Sequence, residues 1–126
     1  MGFAESSTTQ SGDRNTIIED CKADKVAAYT NEAVTFTSEF LNGHSCVGGI
    51  VGFAANTSII DTYVSTNTGS GNHIYGNGAY VGGVAGAIDH SDIYNTEVHD
   101  GEIGSNNSYA VGGIVGGYCY GHVKVA

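Results

Sequence analysis

Apolar positions along the chain come in short glycine-broken blocks separated by polar stretches. Val47-Gly48-Gly49-Ile50-Val51-Gly52 returns as Val81-Gly82-Gly83-Val84-Ala85-Gly86, and again as Val111-Gly112-Gly113-Ile114-Val115-Gly116. The steps are 34 and 30 residues. Twelve positions after each leading valine stands Ile59, Ile93 or Val123. These open Ile59-Ile60-Asp61-Thr62-Tyr63-Val64, Ile93-Tyr94-Asn95-Thr96-Glu97-Val98 and the shorter Val123-Lys124-Val125-Ala126. Ile17-Ile18-Glu19-Asp20-Cys21-Lys22 matches the same element with no Val-Gly-Gly block before it. From this element to the next block the spacing is 30, 22 and then 18 residues. A fixed core with excursions of variable length is the pattern of stacked, equivalent turns of chain. The expected fold is all-β, a short β-solenoid (β-helix) of about three rungs with an N-terminal cap.

The boundaries follow from the same pattern. Residues 1–13 are rich in Ser, Thr and Gly and read as a flexible arm. Residues 14–46 read as the cap and first strand, and residues 47–126 as the repeats. Within the cap, Val34–Phe40 alternates as a strand should, whereas Ala23–Tyr29 fits a helical turn or a strand. The core is expected at Ile17, Ile50, Ile59, Val84, Ile93, Ile114 and Val123. Strand alternation puts Ile59 and Asp61 on one face, and Ile60 and Thr62 on the other. Glu19, Asp61 and Asn95 then share one phase, where polar residues stack as a ladder or, more sharply, form a row of ligands.

Composition narrows the class. The 126 residues include 20 glycines, no proline, no tryptophan and a single leucine, Leu41. Such a chain lacks the residues that build helical bundles. Without a Gly-X-Y period or proline it is not collagen. Thirteen acids against four bases give a formal charge of −9. Nucleic acid and anionic membrane both call for a basic patch, so neither is an expected partner. No apolar run is long enough to span a bilayer, and the opening segment has no apolar h-region. Cys21, Cys46 and Cys119 are an odd number without CxxC spacing, which predicts small buried apolar residues rather than a zinc site.

The glycine block with its following strand resembles the GLUG repeat of bacterial surface proteins. The residues that carry the resemblance are Gly48–Gly52 with Ile59–Tyr63, Gly82–Gly86 with Ile93–Glu97, and Gly112–Gly116 with Val123–Ala126. The repeat-defining positions are Gly48, Gly49, Gly52, Gly82, Gly83, Gly86, Gly112, Gly113 and Gly116. GLUG repeats occur in adhesins and in non-catalytic regions of IgA-peptidase-like proteins. The resemblance implies an extracellular or cell-surface β-solenoid that presents, spaces or binds, and no catalysis. It also implies partners among other modules of a longer surface protein, a host protein or a glycan.

The remaining residues carry no catalytic signature. No histidine stands in HExxH and no serine in GxSxG. The polar clusters Asp89-His90-Ser91-Asp92 and His99-Asp100-Gly101-Glu102 read as solvated loops. No cofactor is expected. Calcium comes nearest, at Gly69–Gly78, but that stretch has no carboxylate to offer a hard cation. Tyrosine and asparagine supply the candidate ligand-facing residues Tyr63, Tyr75, Tyr94 and Asn95. Strand edges left open at either end supply a candidate assembly edge at Ile17, Ile18, Val123 and Val125. The function expected is a non-enzymatic module for adhesion or assembly that pairs with itself end to end. The alternatives are an accessory segment of a surface peptidase and a carbohydrate-binding domain.

Overall fold

The computed structural model describes residues 2–5, 16–24, 28–30, 44–66, 74–99, 103–104 and 107–124. These residues hold fourteen strands and no helix, so the fold is all-β. Every strand pair is parallel. Parallel neighbours need long crossovers, which repeat steps of 30 residues or more supply and tight hairpins do not.

The widest sheet contains β1 (Phe3–Glu5), β2 (Thr16–Glu19), β6 (Val51–Ala55), β7 (Thr57–Ile60), β11 (Ala85–Tyr94) and β14 (Val115–Lys124). Strand β11 is long enough to pair β6 with its first half and β7 with its second. A second sheet stacks β5 (Cys46–Gly48), β10 (Tyr80–Gly82) and β13 (Ala110–Gly112). A third stacks β3 (Lys22–Ala23), β8 (Tyr63–Ser65) and β12 (Glu97–His99). Strand β4 (Ala28–Thr30) lies on β9 (Ile74–Gly76), and Ile103 bridges to Ile74.

Register follows the sequence repeat. Val81 stands opposite Val47 on one side and Val111 on the other. Ala85 likewise stands between Val51 and Val115, and Ile93 between Ile59 and Val123. Like residues therefore stack on like residues. Ile50, Val51, Ile59, Val64, Ile74, Val81, Val84, Ile88 and Ile93 close into one core cluster, with Ile114 packed against it.

Two expectations are corrected at β2 and at the corner after β7. Ile18, not Ile17, stands opposite Ile59. Ile18 is 6% exposed and Ile17 59% exposed, so Ile17 is not a core residue. A one-residue slip turns every side chain of a strand over, and the buried face chooses the register. It follows that Asp20, not Glu19, shares the phase of Asp61, because Glu19 stands opposite Ile60. Alternation also fails at Asp61, which is exposed, while Ile59 and Thr62 are both buried. Asp20, Asp61 and Asn95 have φ of 56°, 54° and 52°. A left-handed residue turns the strand through a corner, and Asp and Asn tolerate that conformation better than other side chains.

Within residues 1–13, Phe3–Glu5 forms strand β1 against β6. Within Ala23–Tyr29, the described residues belong to β3 and β4, which resolves that ambiguity towards strand. The strand expected at Val34–Phe40 and the edge residue Val125 lie outside the described residues.

The glycine blocks mark where the chain folds back on itself. A Cβ at Gly82 would run into the carbonyl oxygens of Ala85 and Ile114 and the amide nitrogen of Gly116. One at Gly83 would meet the Gly113 carbonyl and both methyls of Val98. The two arms of the block thus touch backbone to backbone, which only glycine permits.

Candidate functional site

Three surface features deserve construction from their residues: the left-handed corner, the aromatic columns and the strand edges. At the corner, Asn95 Nδ2 donates to Asp61 Oδ1 at 2.5 Å. Carboxylate oxygens of Glu19, Asp20 and Asp61 lie within 4.8 Å of one another, all on exposed residues. Sequence reasoning found the Asp61–Asn95 ladder but missed Asp20, because it aligned Ile17 with Ile59. Beside the ladder runs a groove of about 270 Å³ lined by Asp61, Thr62, Tyr63, Asn95 and Glu97. Of the residues expected to face a ligand, Tyr63 and Asn95 meet here. Tyr94 is not in the lining, and Tyr75 lies on β9.

The aromatic rings stack in separate columns. Tyr63 stacks on His99 with centroids 5.1 Å apart, and Lys22 Nζ lies 5.4 Å from the Tyr63 centroid. Tyr75 stacks on Tyr29 at 5.4 Å. His44 stacks on Tyr109 at 3.7 Å and meets Tyr80 edge-on at 5.9 Å, while its Nδ1–H donates to the Gly78 carbonyl at 2.7 Å. Stacking of this kind binds neighbouring layers to one another, so several tyrosines are committed to the fold. Beneath the His44 cluster, Tyr80 stands opposite Cys46 in the sheet. Burial pushes the Cys46 thiol up to about 12. Burial also raises the Tyr80 hydroxyl, helped by its neighbours Tyr109 and Cys46. Cys21 and Cys46 are both free thiols.

The edges are the third feature. Strand β5 closes one side of its sheet and β13 the other. Among the described residues the large apolar side chains left exposed are Ile17, Tyr29, Tyr109 and Val111. Ile17 and Tyr29 lie on β2 and β4, and Val111 lies on β13 with Tyr109 just before it. Of the four residues expected to form an assembly edge, Ile18 is buried under its own strand, Ile17 is exposed and Val123 pairs with Ile93. Along the outer edge of β5 runs a groove of about 220 Å³, lined by Gly2, Ala28, Tyr29, Cys46, Val47, Gly48 and Gly52. Sequence reasoning missed this groove, yet a signal was there. Gly2-Phe3-Ala4 repeats Gly52-Phe53-Ala54, and the two tripeptides come together where β1 pairs with β6.

No family model, curated protein or solved structure matches the chain.

Proposed function

We propose that the chain is a short β-solenoid of about three rungs, capped at its N-terminal side, that serves as a non-enzymatic extracellular module for adhesion or structural assembly. The observation that carries the reading is the in-register parallel stacking of the three glycine blocks, Val47 on Val81 on Val111. A stack of that kind has two ends, and unpaired backbone at an end is a template for pairing. Exposed Ile17 and Tyr29 towards one end, and Tyr109 and Val111 towards the other, supply apolar surface beside those edges. The GLUG resemblance agrees with a surface setting, with other modules or copies of the chain as partners.

Light scattering across a concentration series tests the reading. Mass that grows with concentration, with filaments in negative-stain images, is the expected result. A fixed monomeric mass at every concentration would overturn the assembly role. A second reading, carbohydrate binding, is favoured by one observation. Tyr63 lines the same groove in which Asp61, Asn95 and Glu97 offer hydrogen-bonding groups. A glycan-array signal that is lost on Tyr63→Ala would support it.

A further inference from the structure

We infer that Asn77 is a site of spontaneous chemical modification that the folded chain holds unreacted, with the His44 ring and the Asn107 carbonyl as its guard.

The chemistry starts from the sequence. In an Asn-Gly pair the glycine amide nitrogen can attack the side-chain carbonyl carbon of the asparagine. A carbon–nitrogen bond forms and a five-membered imide closes. The side-chain nitrogen leaves as ammonia, taking the proton of the glycine amide with it. Water then opens the imide at either of its carbonyls. One opening leaves aspartate; the other leaves isoaspartate, whose main chain is longer by one carbon. Water is the sole co-reactant. Glycine hinders the attack least, since it has no side chain and its backbone turns freely. The pair occurs at Asn42-Gly43, which begins outside the described residues, and at Asn77-Gly78.

Asn77 and Gly78 lie in the turn between β9 and β10. Asn77 is exposed, so water reaches it, and Gly78 takes a φ of 65°. The turn is held from the layers on either side. The Gly78 amide donates to the Asn107 carbonyl at 2.6 Å, and the Gly78 carbonyl accepts from His44 Nδ1 at 2.7 Å. Ser108 Oγ donates to the Gly76 carbonyl at 2.9 Å, and the Tyr109 amide to the Ala79 carbonyl at 2.8 Å. To reach the Asn77 side chain, the Gly78 nitrogen must swing with its peptide plane and give up its proton. Both moves break the bond to Asn107. His44 fixes the next peptide plane, and its own ring is clamped by Tyr109 and Tyr80. The pair is therefore reactive only when the turn opens locally. Isoaspartate at this position would put one more atom between Gly76 and Gly78, both bonded to a neighbouring layer. A turn so lengthened could not close on the same partners, and the conversion would mark a chain that had opened there.

The test ages the full chain in mildly alkaline buffer, once folded and once unfolded in urea. Peptide-resolved mass spectrometry reads aspartate and isoaspartate at Asn77 separately from those at Asn42. Conversion at Asn77 should be about tenfold or more slower in the folded chain than in urea. His44→Phe keeps a ring against Tyr109 and removes the donor to Gly78. It should speed conversion in the folded chain about threefold or more. Ser108→Ala, which removes the bond to Gly76, is a milder release and should act in the same direction. Protected amides at Val81 and Ile88 in hydrogen exchange show that each variant is folded. Conversion as fast in the folded parent as in urea overturns the inference, and this comparison needs no variant. So do folded His44→Phe and Ser108→Ala variants that convert no faster than the parent.

Discussion

A side chain added to Gly82 has nowhere to go, because the three atoms nearest to it would be backbone of β11, of β14 and of the turn between β13 and β14. Gly113 stands one block on, its carbonyl accepting the Gly83 amide, and among the described residues nothing lies within 4 Å of the added carbon. The same residue type in the same motif therefore carries unequal load. Gly82→Ala should cost about 3 kcal/mol of stability, as overpacking against an unyielding backbone does, and Gly113→Ala less than about 0.5 kcal/mol. Urea unfolding of the two variants decides the matter; equal losses would mean that the blocks do not pack as described. Cys46 makes a second prediction through its thiol. Folding holds that thiol neutral up to about 12, against an ordinary value of 9.0. The folded state then binds the proton more tightly than the unfolded chain. The stability this contributes is complete below pH 9 and falls away as pH rises towards 12. Cys46→Ala should flatten that part of the stability–pH curve, and alkylation of Cys46 at pH 8 should be slow because the thiolate is the reactive form. An unchanged curve in the variant would place the alkaline loss elsewhere.

Strand β2 shows how much of an element the chain announces and how much the rest of the molecule decides. Ile17 and Ile18 are adjacent, both apolar, and equally good partners for Ile59 by pattern alone. The structure buries Ile18 and leaves Ile17 59% exposed. Ile18→Ala should therefore destabilise by about 2–4 kcal/mol and Ile17→Ala by less than about 0.5 kcal/mol. The reverse order in thermal or urea unfolding would restore the register read from sequence. The glycine blocks were legible to the residue, because a repeated motif can only stack on itself and parallel pairing keeps its phase. The Ile59–Ile93–Val123 column was legible for the same reason. The corner was half legible. Asp and Asn recur there, but a strand pattern assumes unbroken alternation, and a left-handed residue at Asp61 breaks it. The groove at β5 was not read, since its signal is a tripeptide at 2–4 whose meaning depends on β1 lying beside β6.

Charge acts on the molecule as a whole, and it opposes the association proposed for it. A chain of formal charge −9 repels its own copies, and the stacking of Asp20 beside Asp61 and Glu19 concentrates that charge along one column. Continuing the stack from one copy to the next would bring like columns into line. Apolar residues near both ends, with main-chain pairing between them, would have to outweigh that repulsion. Salt separates the two terms. At about 0.5 M the screening length falls to roughly 4–5 Å, well below the spacing between such columns in solution, while apolar contact is not weakened. Self-association should therefore strengthen about tenfold or more between about 20 mM and about 500 mM sodium chloride, read by sedimentation velocity at fixed protein concentration. Asp20→Asn and Asp61→Asn together should reduce that salt dependence, because they remove charge from the column without adding apolar surface. Association that weakens with salt would mean that ion pairs hold the copies together. The acidic corner would then be part of the contact and the apolar ends would not.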